Sequence, residues 1–423
     1  MADYIVTTEQ MTATANAIRA KTGGTTSIAF NASTGFAGAI GDIQSGGGEL
    51  VLDSISVLTP PSRTAYKIGD SFSAAGMVVT ASYTIGEDTV NNVIVNNSGL
   101  SFSPSIMSAN TTSVTISYTV DGVTKTTTQA VSVFNVGSSL NDTSWAVISQ
   151  VAQAGCGDAF WDVGDCKAIT LNGSVGTLSL SNLTTYVFIL DFNHVDNGVA
   201  DNNIIFGGFK SALTNGKELA LIHSVYNSSK TDGTLCFNIN HWGNYNYGGW
   251  KGCDLRYDIL GATETQPSGY GAAKTTSSAG YDATTAAITT PVANTLMAAL
   301  PSDFRSVLRL RTHYVDNNGN SSNIDANVTS VVDAISLLSE FEVFGLRTYA
   351  NQYEKNHQTQ MAYYDNGNSQ QKYRHSSQSS TATWWEASPI YNTSYTFCYV
   401  GTGGGANTSG ASTSCGLAPA FKV

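Results

Sequence analysis

Three glutamates are the first side chains in this sequence that could carry out chemistry. Glu340 and Glu342 lie two positions apart, and Glu386 follows downstream. Two carboxyl groups can hydrolyse a glycosidic bond when one is the general acid and the other is the base or nucleophile, at a separation set by the mechanism. The sequence does not give that separation. Polysaccharide hydrolysis therefore stays an alternative function, and we assign no catalytic residue.

The histidines and cysteines lack the spacing of a metal site. The six histidines stand in unrelated contexts, without a His-x-x-x-His pair or a glutamate at ligand spacing. The six cysteines include no Cys-x-x-Cys pair. We therefore predict no metal, no cofactor and no enzymatic activity. Six reduced thiols are the simplest interpretation of the cysteines, and a disulfide between Cys156 and Cys166 is the alternative.

One segment near the C-terminal end of the sequence has an unusually restricted set of residue types. Residues 390–415 contain no charged side chain, although 12% of the 423 residues are charged. The segment uses only Ile, Tyr, Asn, Thr, Ser, Phe, Cys, Val, Gly and Ala. Codons ending in cytosine encode all of these, and most arise from the asparagine codon AAC by changes at its adenines. Adenine-directed mutation of an Asn-rich template would leave this set, and an ordinary Gly/Ser/Thr-rich loop has a similar composition.

The overall composition excludes several classes of protein. A net charge of −11 without a Lys/Arg cluster argues against nucleic-acid binding. With 41% hydrophobic residues the chain can form cores, unlike a charge-rich disordered protein. No apolar run is long enough to cross a membrane, and we expect no membrane insertion. The start of the sequence has neither a basic nor an apolar segment, so we expect no secretory signal peptide.

The elements that would position a site fall into three regions. Residues 1–48 predict two short amphipathic helices and a Gly-rich linker. Because helices this short are not stable alone, we interpret the region as an attachment or oligomerisation module. A loosely docked arm is the alternative. The apolar faces of the two helices are Met11, Ala15 and Ile18, and Phe36, Ile40 and Ile43.

Residues 49–136 have the alternating pattern of short β-strands and predict a β-sandwich. Asp121-Gly122 joins two alternating runs and predicts a tight hairpin. Residues 137–423 have a mixed pattern of helical and strand periodicity, with Trp145, Ile148 and Val151 on one helical face. Residues 186–190 predict a buried strand, and 292–300 predict a helix. The predicted fold class is thus α+β and multidomain.

Two motifs in the second region suggest a family. They are Pro60-Pro61-Ser62-Arg63-Thr64-Ala65-Tyr66-Lys67-Ile68-Gly69-Asp70 and Gly76-Met77-Val78-Val79-Thr80-Ala81. Both resemble the bacterial immunoglobulin-like (Ig-like) domains of surface adhesins and phage tail proteins. The resemblance implies a spacer without chemistry of its own.

The third region resembles the C-type-lectin-fold domains of gut phage tail proteins, including variable proteins of diversity-generating retroelements. At Glu386-Ala387 this sequence departs from many relatives, which have a basic residue before Ser-Pro. The resemblance covers residues 137–423 and implies a C-type-lectin-like α+β domain with a variable region at about 384–423. The motifs are Trp384-Trp385-Glu386-Ala387-Ser388-Pro389, Phe397-Cys398-x-Val400, Gly416 to Val423, Val163-Gly164-Asp165, Gly248-Gly249-Trp250 and Leu338-Ser339-Glu340.

In such relatives a fixed frame surrounds randomised Asn codons. The resemblance implies a frame of Trp384, Trp385, Phe397 and Val400, with Asn392 and Ala411 also fixed. It implies ligand contact by fourteen positions, which we call the predicted variable residues. They are Tyr391, Thr393, Tyr395, Thr396, Tyr399, Gly401, Gly403, Gly405, Thr408, Ser409, Gly410, Ser412, Thr413 and Cys415. Tyrosine with Ser, Gly and Thr is also the composition of antibody paratopes.

The resemblance implies a receptor-binding protein of a phage tail that recognises a glycan or protein on the host bacterium. It further implies other tail proteins as partners of the N-terminal region, a homotrimer, and a place in the virion. The alternatives are a tail-associated polysaccharide-degrading enzyme and a bacterial surface adhesin with the same modules.

Overall fold

A computed structural model describes residues 50–85, 88–224, 233–267, 281–321 and 323–423. The helices expected within residues 1–48 lie outside the described residues. The described chain is mostly β and divides into two compact units, one ending at Ser132 and the other beginning at Val133.

The first unit consists of short strands, which are antiparallel within its two three-stranded sheets. Three-stranded sheets form in the orders β1-β3-β4 and β5-β6-β7. The strands are β1 (Leu50–Thr59), β2 (Ala65–Lys67), β3 (Val78–Ile85), β4 (Asp88–Val95), β5 (Leu100–Ser103), β6 (Ser113–Val120), β7 (Val123–Ala130) and β8 (Ser132–Phe134), with a 3-10 turn at Asn97–Gly99.

Alternation along the strands places apolar side chains in one core, which includes Leu52, Val79 and Ile116. The predicted hairpin is confirmed: Val120 pairs with Val123 across Asp121-Gly122, whose φ angles are 50° and 81°. Positive φ at both central residues is the geometry that matches the twist of a two-residue hairpin. The pattern of this unit was therefore readable from local sequence.

The second unit is built around a five-stranded sheet in the order β15-β21-β11-β10-β9. The final strand of the chain lies inside this sheet, antiparallel to both of its neighbours. The strands are β9 (Cys166–Val175), β10 (Leu178–Phe192), β11 (Ile204–Lys210), β12 (Leu219–Ala220), β13 (Arg311–Asp316), β14 (Val328–Asp333), β15 (Ser336–Leu337), β16 (Lys372–Arg374), β17 (Ser377–Ala382), β18 (Trp384–Pro389), β19 (Thr396–Val400), β20 (Ala406–Gly410) and β21 (Pro419–Lys422).

The helices of this unit are short. The α-helices are α1 (Trp145–Gln153), α2 (Ala286–Thr289), α3 (Leu296–Ala299), α4 (Ser302–Arg305), α5 (Glu340–Phe344) and α6 (Ala362–Asp365). The 3-10 turns are Gly157–Ala159, Asp325–Asn327 and Gln352–Asn356, and a π turn spans Leu255–Leu260. In the described residues this unit contains both strands and short helices, and the strands predominate.

Two of the sequence predictions for this unit are confirmed. The helix through Trp145 buries Trp145, Ile148 and Val151, and the Ser144 side chain caps its N-terminus. Residues 186–190 lie in β10, with Val187 to Leu190 buried. The helix predicted for 292–300 is limited to α3. Thr295 caps it, and Pro301 follows Leu300, where a proline disfavours helical backbone in the preceding residue.

The core of the second unit is rich in aromatic rings. Trp145 stacks on Phe304 with ring centres 4.2 Å apart, and Phe304 meets Phe421 of β21 edge to face at 5.2 Å. The six cysteines are free thiols, so the Cys156–Cys166 disulfide is not formed. Within the described ranges, no helix is long and apolar enough to cross a membrane.

Candidate functional site

Strands β18, β19 and β20 form an antiparallel sheet that carries the C-terminal segment identified in the sequence. Trp384 pairs with Val400 and Trp385 with Tyr399. Trp384, Trp385, Phe397 and Val400 are all fully buried. The four frame residues thus lie under the surface of the sheet.

Aromatic stacking fixes the frame. Phe397 lies parallel to Phe237 with ring centres 3.7 Å apart, and Trp385 meets Phe237 edge to face at 4.9 Å. The Trp385 indole Nε1 donates to the Leu235 carbonyl at 2.9 Å, so its polar atom is satisfied. The Trp384 Nε1 donates to the Gln370 carbonyl at 3.0 Å. Both indoles therefore have one defined orientation.

The predicted variable residues occupy connections, two positions of the central strand β19 (Thr396 and Tyr399), the edge strand β20 and the segment after it. Among the three tyrosines, Tyr395 is the most open, at 49% exposure. Tyr391 is half-buried beneath the Arg347 guanidinium, 4.0 Å from its ring centre. Tyr399 is half-buried with its ring edge-on to Trp385. Tyr395 is thus the tyrosine best placed to contact another molecule.

Three of the fourteen are buried. Thr396 and Ser412 are each 8% exposed and Cys415 is 1% exposed. Burial raises the pKa of the Cys415 thiol to about 12, so it is protonated at neutral pH. These three side chains are not open to a ligand and can influence binding only through their packing against neighbouring residues. The remaining members, Thr393, Gly401, Gly403, Gly405, Thr408, Ser409, Gly410 and Thr413, are half-buried or exposed.

The exposed members gather at the two ends of β19. The Ala411 N–H donates to the Tyr395 carbonyl at 2.8 Å, which brings Tyr395 beside the end of β20. At the opposite end, the hairpin from Gly401 to Gly405 is closed by a 2.8 Å backbone bond between these two residues. At ~3.3 Å per residue, the five residues of β19 separate the ends by roughly 15 Å. A partner touching both ends is therefore larger than a single sugar ring.

A second segment, residues 238–249, lies against the Tyr395 end. The Asn246 Nδ2 donates to the carbonyls of Thr393 and Thr396, each at 2.9 Å. The Ser412 hydroxyl donates to Asn244 Oδ1 at 2.7 Å. Because the Asn246 side chain bonds to backbone carbonyls of the β18–β19 connection, these hydrogen bonds do not depend on which side chains that connection carries.

The same segment adds an aromatic rim that the sequence reasoning missed. Tyr245 is 47% exposed, and its ring stacks on Tyr247 with centres 4.6 Å apart. Tyr247 in turn meets Trp242 edge to face at 6.2 Å. A signal was present in the run Trp242-Gly243-Asn244-Tyr245-Asn246-Tyr247, where aromatic and amide residues alternate. This run contains no charged group and no pair of metal ligands, so it has no catalytic or metal-binding signature.

The glycines of the segment differ in how much space surrounds them. A Cβ added at Gly403 or Gly405 meets no atom within 4 Å. At Gly401 and Gly410 it meets only ordinary contacts of 3.4 Å or more. Gly416 lies outside the predicted variable set, and there a Cβ would lie 2.6 Å from the Thr383 carbonyl oxygen. The predicted variable glycines can therefore accept side chains, whereas Gly416 cannot without rearrangement.

The three glutamates considered for hydrolysis are fully buried. Glu340 accepts hydrogen bonds from the backbone N–H groups of Tyr349 and Ala350. Glu342 forms a capping box with Ser339 and pairs with Arg311. Glu386 has no hydrogen-bond partner on either oxygen in the described residues. Two of the three carboxylates therefore have structural bonds, and none is open to a substrate.

Glu386 yields a stability prediction. Burial, with Glu340 and Glu354 nearby, raises the pKa of Glu386 well above its usual range. A raised pKa contributes stability that is complete below the unfolded value and is lost as pH rises through the folded value. Above about pH 4.5 the free energy of unfolding of the wild type should fall by up to about 1.4 kcal/mol per pH unit because of Glu386. Glu386→Gln should remove this pH-dependent loss. Urea unfolding at pH 4, 5 and 6 measures the difference.

The matched control is Glu340→Gln, because Glu340 accepts backbone N–H donors that an amide nitrogen would oppose. We expect this variant to be less stable than the wild type by about 1–3 kcal/mol. If Glu386→Gln is instead destabilising by the same amount at all three pH values, Glu386 has a structural bond and the prediction is wrong.

Comparison with known families agrees with part of the sequence analysis. Residues 59–133 match the family described as bacterial Ig-like domain (group 3), and the chain contains such a domain there. Residues 220–423 match a family described only as a domain of unknown function, DUF6273. No curated protein matches the chain.

Proposed function

We propose that this chain is the receptor-binding protein of a phage tail. In this proposal residues 137–423 have a C-type-lectin fold, and the predicted variable residues bind a glycan or protein on the surface of the host bacterium. The Ig-like domain is a spacer, and the N-terminal region joins the chain to other tail proteins. The protein acts outside the cell as part of the virion and is not an enzyme.

One observation carries the proposal: the contrast between positions expected to vary and positions expected to stay fixed. Glycines in the predicted variable set have room for a side chain, and Gly416 has none. The frame residues Trp384, Trp385 and Phe397 are fully buried. A surface that changes from copy to copy needs this arrangement, because its substitutions must leave the core unaltered. Three buried members of the set do not fit the contrast, and we expect only small side chains there.

Binding in this proposal uses neutral chemistry. Tyr395, Tyr245 and the surrounding hydroxyl and amide groups offer contact area and hydrogen bonds without net charge. Tyrosine gives a large contact at a small loss of rotamer freedom. Each site is then weak, and several copies acting together raise the overall affinity. A homotrimer held by the N-terminal region would supply those copies.

The proposal is tested by matched glycine substitutions. Gly403→Ser should leave the free energy of unfolding within about 0.5 kcal/mol, since the added side chain meets open space. Gly416→Ser should lower it by about 1–3 kcal/mol through overpacking. The binding of each purified variant to host cells should change for Gly403→Ser and Tyr395→Ser while both stay folded. Unchanged binding by both folded variants would contradict the proposed surface.

The neighbouring DNA tests the diversification step separately. A near-copy of the region coding for residues 384–423, with AAC at the predicted variable positions and beside a reverse transcriptase gene, is expected. Its absence would remove diversification from the proposal. Absence of the chain from purified virions would remove the tail assignment.

A further inference from the structure

A cluster of polar side chains that includes none of the predicted variable residues lies between the connection after β10 and helix α5. His194 Nε2 lies 3.8 Å from Asp196 Oδ1 and 4.0 Å from Glu342 Oε1. The side chains of His194 and Glu342 are each 1% exposed and that of Asp196 is 17% exposed. One ligand atom from each residue lies within 4.8 Å of the others. These three residues are called the His194 cluster below.

One ring nitrogen of His194 has a hydrogen-bond partner and the other has none in the described residues. His194 Nδ1 lies 2.8 Å from Asp191 Oδ2, so the ring donates its Nδ1 proton to this carboxylate. The buried Nε2 has no hydrogen-bond partner in the part of the chain that the structure describes. This nitrogen faces the carboxylate oxygens of Asp196 and Glu342 at 3.8 and 4.0 Å. A carboxylate on the far nitrogen is the usual support for a metal-binding imidazole.

The charges of the cluster do not balance. Arg311 donates from Nε and Nη2 to Asp196 and from Nη2 to Glu342, which places one cation on two carboxylates. With Asp191 the cluster has three carboxylates and one guanidinium, an excess of two negative charges when His194 is neutral. Uncompensated charge of this size is costly in a buried site. A divalent cation would neutralise it.

We propose that His194 Nε2, Asp196 Oδ1 and Glu342 Oε1 bind a divalent transition-metal ion of the Zn²⁺ class. Ligand atoms around a tetrahedral ion with ~2.1 Å bonds lie ~3.4 Å apart, so the two measured separations must close by roughly half an ångström. Imidazole nitrogen with two carboxylate oxygens suits Zn²⁺ or Mn²⁺ better than Ca²⁺ or Mg²⁺, which take oxygen ligands. Arg311 Nη2 donates to the same two oxygens, Asp196 Oδ1 and Glu342 Oε1, so each of them would use one lone pair for Arg311 and the other for the ion.

An entry path leads to the cluster. His194 and Asp196 line a cavity of about 400 Å³, together with Thr312 and Tyr314. An ion held by three protein ligands keeps a fourth position for water or a ligand oxygen. The ion would join the β10–β11 connection to helix α5, two segments far apart in the sequence. Because the three ligands are so far apart in the sequence, they have no local metal-binding spacing.

Zinc titration of the untagged full-length protein tests the proposal. After removal of metal with EDTA, calorimetry should show one Zn²⁺ bound per chain, and the Tm should rise by several degrees with saturating Zn²⁺. Co²⁺ in place of Zn²⁺ should give the visible absorption bands of a low-symmetry site. Ca²⁺ should bind at least tenfold more weakly than Zn²⁺.

Three variants locate the site. His194→Gln should lower the Zn²⁺ affinity at least a hundredfold, and Asp191→Asn, which only supports the imidazole, should lower it about 10–100-fold. His241→Gln, at an exposed histidine, is the control for adventitious binding and should leave the affinity unchanged. If His194→Gln does not fold, Asp191→Asn and the wild-type stoichiometry still decide the question.

Two results would overturn the proposal. One is a wild-type protein that binds no Zn²⁺ or Mn²⁺ at 100-fold molar excess, which would mean that water and Arg311 alone complete the cluster. The other is a folded His194→Gln or Asp191→Asn variant with wild-type affinity, which would place the bound ion elsewhere. Neither result affects the proposed receptor-binding surface.

Discussion

Trp385→Ala is expected to lower the free energy of unfolding of the C-terminal unit by about 3–5 kcal/mol. The indole is fully buried, packs edge to face on Phe237, and donates its N–H to the Leu235 carbonyl at 2.9 Å. Alanine would leave a cavity beneath β19 and remove one of the two hydrogen bonds to the Leu235 carbonyl, which would keep only the Cys415 N–H at 3.2 Å. Urea unfolding followed by circular dichroism measures the loss.

The control is Tyr395→Ala, which removes a ring that is 49% exposed and lies in the connection just before β19. A surface truncation should change stability by no more than about 0.5 kcal/mol. The proposed division between a fixed core and a displayed surface predicts opposite outcomes for the two variants: stability falls in the first, and binding falls in the second. Comparable stability losses in both would contradict that division.

Local sequence features predicted the parts of the fold that local physics determines. The Asp121-Gly122 hairpin followed from two residues that accept positive φ, and the helix through Trp145 followed from the apolar spacing of Trp145, Ile148 and Val151. Each depends on interactions within about ten residues. The α3 region shows the limit, because its apolar run suggested a helix longer than Thr295 and Pro301 allow.

The rest of the fold depends on pairings between distant residues, which a single sequence does not reveal. Strand β21 is inserted between β11 and β15, two strands that are more than a hundred residues apart in the sequence. The Asn246 side chain holds the connection near Thr393 from almost 150 positions earlier. Neither has a local signature, so the position of residues 238–249 beside the predicted variable residues could not be predicted.

The restricted alphabet of residues 390–415 indicated where a surface might vary but did not indicate exposure. Thr396 and Cys415 share the composition of their neighbours, yet both are buried. Strand β19 is covered on both faces, since Phe397 contacts one core and Cys398 another. When only the residue types are considered, small residues at buried positions cannot be distinguished from small residues in exposed loops. Burial therefore had to come from the structure.

The positions of the loop residues 238–249 depend on a buried ion pair. Asp254 Oδ2 accepts from the backbone N–H groups of Ile239, Asn240 and His241 at 2.9–3.1 Å, which orders the start of the loop. Two residues later, Arg256 donates from Nε to Asp333 at 2.5 Å. Asp333 is thus the anchor from β14 for the segment that supports the aromatic rim.

Asp333→Asn is expected to lower the free energy of unfolding by about 3–5 kcal/mol, the range for breaking a buried ion pair by removing one partner. The Asp333 carboxylate also accepts from Trp250 Nε1 at 2.7 Å and lies 2.6 Å from His313 Nε2. An amide nitrogen would face one of these donors and leave the buried Arg256 with less compensation. Thermal and urea unfolding measure the change.

The pH dependence separates this prediction from a simple packing defect. Burial alone would raise the pKa of Asp333, but Arg256 and His313 hold it below its usual range. A depressed pKa contributes stability that is present above the unfolded value, about 3.8, and lost as pH falls through the folded value. The difference between wild type and Asp333→Asn should therefore shrink below about pH 4. The matched control is Asp201→Asn, because the Asp201 carboxylate pairs with Arg309 and Lys422 but its side chain is about one-third exposed; this substitution should cost no more than about 1 kcal/mol. An Asp333→Asn loss as small as that of the control would mean that the ion pair does not hold the loop segment in place.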